Sequence, residues 1–297
     1  MVKRTLHFSN PAHLYTRHQQ LMVELKDDDR TTKSVPIEDL GMVILENPQI
    51  TLTASVLTLL LEQQVAVITC DNRYMPVGMF LPFEGNSVQT ERFRIQNEAS
   101  IPLKKQLWQQ TVKYKIANQA GVMQRLRIPI ERMLHLERDV LSGDSKNMEA
   151  QAASHYWGKI YGGNFVRSRD PQTPNAQLNY GYAILRSVVA RALTASGMLP
   201  SFGIHHKNKY NAFCLADDIM EPYRPYVDWL VLHLEGIHEC TEGLTREQKI
   251  ELLKIPQLDV MIDGQKRPLA HAVTMTTASL FRCFAGEQRK IVYPDLN

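Results

Sequence analysis

The sequence predicts an α+β protein of two domains. A small N-terminal β-sheet or sandwich domain with one helix is expected over residues 1–88, and a larger all-helical domain over residues 89–297. Three observations carry this. Up to about residue 85, short runs of β-branched and aromatic residues alternate with turn segments. From Gln89 onward, apolar residues recur at helical spacing. Between them lies "FEGNSVQ", where neither period holds. The 297 residues are 44% hydrophobic, enough to bury a core in one or two domains.

The strands expected in the first part are "RTLHFS", "LYTRHQQLMVEL", "KSVPI", "MVILE", "QITL", "VAVITC" and "PVGMFLPF". "KDDDRTT", "ENPQ" and "CDNRYMP" read as turns. The one helix is "TASVLTLLLEQQ": Leu57, Leu60 and Leu61 share a face, and Thr53 or Ser55 is placed to cap it. In the second part, Leu103, Leu107, Trp108, Val112, Ile116 and Ala120 form one apolar stripe. Further helices are expected at "IPIERMLHLERDVL", "MEAQAASHYWGKIYGG", "QLNYGYAILRSVVARALTASG", "PYVDWLVLHLEGIHE", "TREQKIELLKI" and "RPLAHAVTMTTASLFRCFAG". "FVRSRDPQTPNAQ" is a polar loop with two prolines.

Several function classes are disfavoured. The longest apolar run, "TASVLTLLLEQQVAVITC", is broken by Glu62, Gln63 and Gln64, so no membrane span is expected. "MVKRTLHFSN" has no apolar signal core, which points to the cytoplasm. Cys70, Cys214, Cys240 and Cys283 are scattered without a C-x-x-C pair, arguing against disulfides and thiolate zinc. The motifs of P-loop NTPases, Rossmann dehydrogenases, serine hydrolases and zincins are missing. Charge is unevenly spread. Residues 101–140 hold eight Lys/Arg against three Asp/Glu, residues 151–215 seven against one, and residues 216–264 four against eleven. Basic stretches beside an acidic one suit a polyanion with carboxylates nearby; the plainer account is segregation on solvated faces.

The chemistry concentrates in "GIHHKNKYNAFCLADDIMEPYRPYVD". Asp218 and Glu221 are three apart, on one face of a helical turn. They suit a hard divalent cation such as Mg²⁺ or Mn²⁺, or else a capping box with Asp218 as N-cap. Of His205 and His206, one can serve a metal while the other is structural. Glu149 opens a helix, where it supplies either a ligand or a dipole partner. His155 reads as packing, and His233 and His238 are spaced too unevenly for a helical pair. Lys207, Lys209 and Tyr210 can hold a phosphate strand, and Arg167 and Arg169 with Trp157 and Tyr161 form a basic, aromatic surface. Arg224 either pairs with an acid or clamps a phosphate.

Together, Glu149, "LNYGYAIL", the glycine three residues before His206, and the D-x-x-E-P-[FY]-R-P-x-[VIL]-D block resemble the CRISPR-associated integrase family, the large subunit of the spacer-acquisition complex. The resemblance spans essentially the whole chain, and "GIHHKN" resembles the version that accompanies single-protein effector nucleases. It implies Glu149, His206 and Glu221 as catalytic metal ligands, with Asp218 and His205 as neighbours, and Mg²⁺ or Mn²⁺ as cofactor.

The implied reaction is attack by the 3′-hydroxyl of short foreign DNA on the backbone at the edge of a CRISPR repeat. Lys207, Lys209 and Arg167, with Arg186 and Arg191, are the residues expected to touch DNA, on charge alone. The implied partners are spacer-precursor and repeat DNA, a second copy of the chain through the β domain, and a small ferredoxin-like subunit. An effector nuclease and an accessory DNA-end protein complete the implied set. The alternatives are a structure-selective, metal-dependent nuclease and a non-catalytic DNA scaffold whose carboxylates only cap helices.

Overall fold

The computed structural model describes residues 3–26, 31–168, 174–235 and 244–296; Arg169, His238 and Cys240 lie outside them. The chain divides into two compact units, Met1–Ser87 and Val88–Asn297.

The first unit runs β1 (Arg4–Phe8), β2 (Ala12–Arg17), β3 (Gln20–Leu25), β4 (Thr32–Pro36), β5 (Leu40–Leu45), β6 (Thr51–Leu52), α1 (Ala54–Glu62), β7 (Ala66–Cys70) and β8 (Pro76–Phe80). One sheet has the order β1-β5-β7-β8, the other β4-β3-β2-β6. Strands β5 and β7 are parallel, which demands a crossover, and α1 lies on that crossover. Leu14 and Leu21 from one sheet, Leu40, Val43 and Val67 from the other, and Val56 and Leu60 from α1 share one core.

"LYTRHQQLMVEL", expected as one strand, is two. His18 and Gln19 both have positive φ, 50° and 61°, so they form a tight reversal between β2 and β3. Neither is Gly or Asn, the residues that normally announce such a turn.

The second unit contains α2 (Gln89–Glu98), α3 (Ile101–Arg125), α4 (Glu131–Arg138), α5 (Met148–Ile160), α6 (Asn175–Ala195), α7 (Cys214–Met220), α8 (Arg224–Glu235), α9 (Arg246–Leu252), β9 (Asp259–Ile262), β10 (Gln265–Pro268) and α10 (Leu269–Phe284). The expectation of an all-helical unit is thus refined: it is mostly helical and carries an antiparallel β9–β10 hairpin. Its turn is Asp263-Gly264, with φ of 49° and 70°, the left-handed pair that Asp-Gly adopts readily.

Helix α3 starts on Ser100, whose Oγ accepts from the Leu103 N–H at 3.3 Å, and it buries Leu107, Trp108, Val112, Ile116 and Ala120. Helix α6 is buried on most sides. A Cβ on its Gly181 would lie 2.5 Å from Val227 Cγ1, so a side chain there would push α6 off α8. Asn118, fully buried on α3, donates to the carbonyls of Pro222 (2.7 Å) and Pro294 (3.1 Å) and accepts from the Leu296 N–H (3.0 Å). That amide fixes the segment after α7 and the C-terminal segment to one helix. Among the described residues, Cys214 and Cys283 are free thiols, and no helix is long and apolar enough to cross a membrane.

Candidate metal centre

The site is assembled on one face of α3. Trp108, Lys115 and Asn118 follow at roughly helical spacing, and each meets a different part of it.

Glu149 arrives on the first turn of α5. The turn before it is fixed by Asp144, whose carboxylate accepts from the N–H groups of Met148 (2.8 Å) and Glu149 (3.0 Å), with Asn147 in the left-handed region. Two orphan amides of the helix start are satisfied this way, which aims the Glu149 side chain at α3. Its Oε1 is 2.7 Å from the Lys115 ammonium.

Glu221 stands where α7 gives way to a short 3₁₀ turn, Glu221–Tyr223. Its Oε2 lies 2.6 Å from the same ammonium, and its Oε1 accepts from Arg224 Nε at 2.8 Å. Burial alone would raise the Glu221 carboxyl, but Arg224 and Lys115 outweigh it and hold its pKa at about 2. Burial likewise pulls the Lys115 ammonium down, and Glu221 and Glu149 more than reverse that.

His206 and Asp218 form the third part. Asp218 is fully buried within α7, and its carboxylate accepts from the backbone N–H of His205 (2.9 Å) and of His206 (3.2 Å). His206 Nδ1 lies 2.5 Å from Asp218 Oδ1. The hydrogen bond to Asp218 raises the His206 pKa, with Glu221 and Glu149 adding to the rise against burial. Those two carboxylates are therefore within electrostatic reach of the ring. His205 stacks on Trp108, with ring centroids 4.2 Å apart and planes 4° from parallel.

Gly203 makes the loop possible. A Cβ there would come within 2.4 Å of the His206 carbonyl oxygen and 2.7 Å of Asp218 Oδ2. The capping-box alternative for Asp218 and Glu221 fails: α7 begins at Cys214, and Asp218 is bonded to the histidine loop.

The residues expected to touch DNA behave differently from one another. Lys207 and Lys209 are exposed, and the Lys209 ammonium lies 4.9 Å from the centre of the exposed Tyr210 ring. Arg167 donates to the Ser168 carbonyl (2.5 Å), Asn175 (3.0 Å) and Asn179 (2.8 Å) and lies over the Tyr182 ring, so it ties its loop to α6. Arg186 pairs with Asp217 at 2.6 Å. Arg191 is half-buried, and burial lowers its pKa. Trp157, Tyr161 and Phe165 form an aromatic cluster, with Trp157 and Tyr161 stacked at 5.9 Å. Arg224 pairs with an acid, Glu221.

Among the described residues, no three His, Cys, Asp or Glu side chains stand ready as a metal cage. Instead the Lys115 ammonium lies between Glu149 and Glu221. The donor set nonetheless fits a hard cation. Two carboxylates from separate elements already converge on a single positive charge. His206 has one ring nitrogen held by a carboxylate and the other left over, which is the arrangement that orients metal-binding imidazoles. Sequence reasoning missed Lys115, Asn118 and Asp144. Asn118 alone carried a signal, an amide on the helix face that also holds Leu107 and Val122.

Solved structures share this fold. A casposase bound to integration product aligns with a TM-score of 0.78 at 18% identity, over 100% of this chain and 93% of that one. A Cas6-RT-Cas1–Cas2 complex aligns with a TM-score of 0.74 at 20% identity, over 98% of this chain and 36% of that one. The sequence narrows the assignment. The chain is 38% identical over 267 residues to the CRISPR-associated endonuclease Cas1 of Neisseria meningitidis serogroup C (strain 8013), spanning 89% of this chain and 86% of that protein. The family described as CRISPR associated protein Cas1 matches residues 6–249, and this chain belongs to it.

Proposed function

We propose that the chain is a metal-dependent DNA integrase and endonuclease of CRISPR spacer acquisition. It joins the 3′-hydroxyl of short foreign DNA to the edges of CRISPR repeats by transesterification. The observation that carries this reading is the convergence of Glu149 and Glu221, from separate elements, on one cation position, with a carboxylate-held His206 whose pKa both glutamates help to raise. Its relatives' names, an endonuclease and a casposase bound to integration product, support the same chemistry.

Glu149, Glu221 and the free nitrogen of His206 would hold Mg²⁺ or Mn²⁺. When bound, that ion polarises a phosphoryl oxygen and favours both the attacking and the leaving oxygen. The chain's own residues do the rest. Arg224 and Lys115 keep Glu221 ionised at neutral pH, so it presents charge without first losing a proton. Asp218 fixes the tautomer and direction of His206. His205 anchors the loop on Trp108 rather than acting as a ligand. Lys207 and Lys209, exposed just after His206, meet the DNA backbone. Arg167, Arg186 and Arg191, on or against α6, are the further DNA contacts in this reading, the first two already held by Asn179 and Asp217. One new P–O bond forms as one P–O bond breaks, so the exchange needs no nucleotide triphosphate.

Integration at two repeat edges calls for two-fold symmetry. We assign the β-rich unit, residues 1–88, to dimer formation and residues 89–297 to catalysis and DNA binding. The Cas1–Cas2 neighbour supports a small ferredoxin-like partner subunit. An effector nuclease, an accessory DNA-end protein and a cytoplasmic setting complete the reading.

The test supplies pre-cut DNA with free 3′-hydroxyls and a supercoiled repeat plasmid in Mn²⁺. Joined molecules are expected. Cleavage without joining would leave the nuclease reading, and neither product with intact DNA binding would leave the scaffold.

A further inference from the structure

Lys115 has so far only an electrostatic part, yet its charge is held by two carboxylates at once. Its ammonium lies 2.7 Å from Glu149 Oε1 and 2.6 Å from Glu221 Oε2, and its side chain is only 11% exposed. It comes from α3, a 25-residue helix with Val112 and Ile116 fully buried beside it, so its backbone is anchored in the core and only its side chain is free to swing. The two carboxylates it joins come from α5 and from the turn after α7. Among the described residues no other cation contacts both: Arg224 bonds only the far oxygen of Glu221.

We propose that Lys115 is the site's built-in counter-ion: its ammonium occupies the place of the divalent cation and must be displaced when the metal binds. This rests on the metal reading of Glu149 and Glu221. Two carboxylates brought together in a largely buried site repel each other, and the repulsion grows as water is excluded. A lysine between them removes that repulsion, so the site folds before any metal arrives. The same ammonium competes with the metal for the same two oxygens, so it sets the metal concentration at which the site loads. A lysine suits this better than an arginine. Its charge is compact, its stem is flexible, and it makes no bidentate fork that would lock both partners.

Two consequences follow. Removing the ammonium tightens metal binding, because its two charge-assisted contacts no longer have to be broken; one such contact alone corresponds to roughly ten- to hundredfold in an equilibrium constant. Removing it also weakens the metal-free protein, because the carboxylates then face each other unscreened.

The experiment measures Mn²⁺ binding by electron paramagnetic resonance, and melting with chelator and with Mn²⁺, on the full chain. Wild type is compared with Lys115→Met, Lys115→Gln, Arg224→Gln and Glu149→Gln. Lys115→Met is expected to bind Mn²⁺ at least about tenfold more tightly, the factor that corresponds to ~1.4 kcal/mol. It is also expected to melt below wild type in chelator and to gain more from Mn²⁺. Lys115→Gln serves the same purpose if the methionine variant does not fold. Equal or weaker Mn²⁺ binding in the lysine variants overturns the proposal. An equal gain in Arg224→Gln also overturns it, because general charge would then explain the effect. If wild type binds no Mn²⁺ that Glu149→Gln abolishes, the metal reading itself fails, and this inference fails with it.

Discussion

Replacing Asp218 with asparagine keeps the shape of the side chain and removes its charge. The wild-type carboxylate is fully buried and accepts three hydrogen bonds: from His205 N–H at 2.9 Å, from His206 N–H at 3.2 Å and from His206 Nδ1 at 2.5 Å. Both oxygens are used, one by His205 and the other by His206. An asparagine has only one acceptor oxygen, so its NH₂ must face an N–H donor on one side. One buried donor left unmet costs about 1–3 kcal/mol. At roughly 2–4 °C per kcal/mol for a chain of this size, melting should fall by about 2–12 °C. The effect on function should be larger in proportion, because His206 loses the partner that orients it. Disturbing such a partner usually lowers metal affinity or activity about 10–100-fold. The assay is single-turnover DNA joining, run beside thermal melting and NMR titration of the metal-free imidazoles. Asp218 is the leading cause of the raised His206 pKa, so in the variant the His206 midpoint should move down. For stability the sign follows. The pairing helps below the ordinary histidine pKa of ~6.5 and fades as pH rises through the raised value, so the melting deficit should narrow upward through that window. Joining at wild-type rate with an unmoved His206 midpoint would refute the orienting role of Asp218.

Other perturbations follow from the same geometry. Gly203→Ala places a Cβ 2.4 Å from the His206 carbonyl oxygen; it should cost about 1–3 kcal/mol in urea unfolding and lower joining by about two orders of magnitude through displacement of His206. Asp228, buried between the hydroxyls of Tyr156 (3.0 Å) and Tyr182 (2.5 Å), has its pKa raised to about 6 by burial. A raised carboxyl gives stability that is complete below the unfolded value and is lost as pH rises to about 6. Relative to wild type, Asp228→Asn should therefore gain up to about 3 kcal/mol between pH 4 and pH 7 in urea titrations; a constant difference across that range would exclude this. Binding of DNA should weaken steeply with salt, and Lys207→Ala and Lys209→Ala should each flatten the log–log slope by about one. An unchanged slope in both variants would remove these lysines from the interface.

The fold class was legible because two kinds of pattern are written plainly in the chain. The short β-branched apolar runs "MVILE" and "VAVITC" mark strands β5 and β7, and the Leu107–Trp108–Val112–Ile116–Ala120 stripe marks α3. What escaped was local. The β2–β3 reversal uses His18 and Gln19, which carry no turn signature. Asp263-Gly264 does carry one, but the helical reading of its surroundings hid it.

At the site, sequence reasoning placed Glu149 at a helix start and the two histidines ahead of the acids. It left Asp218 between cap and ligand. Only coordinates show Asp218 accepting from three donors of the histidine loop. Lys115 was invisible for another reason. A lysine in a long helix normally reads as a solvated charge, and its meaning comes from two carboxylates that are 34 and 106 positions away in sequence. Charge counting could not rank the arginines either, since Arg167 and Arg186 are engaged by Asn179 and Asp217.

The central claim is that Glu149, His206 and Glu221 close on one ion. Crystals soaked in Mn²⁺ and measured at the manganese absorption edge test this directly. The account expects one anomalous peak within about 2.0–2.6 Å of both carboxylates and the His206 Nε2, with the Lys115 ammonium moved away. A peak bound elsewhere, or none at saturating Mn²⁺ in a protein that still joins DNA, would contradict it.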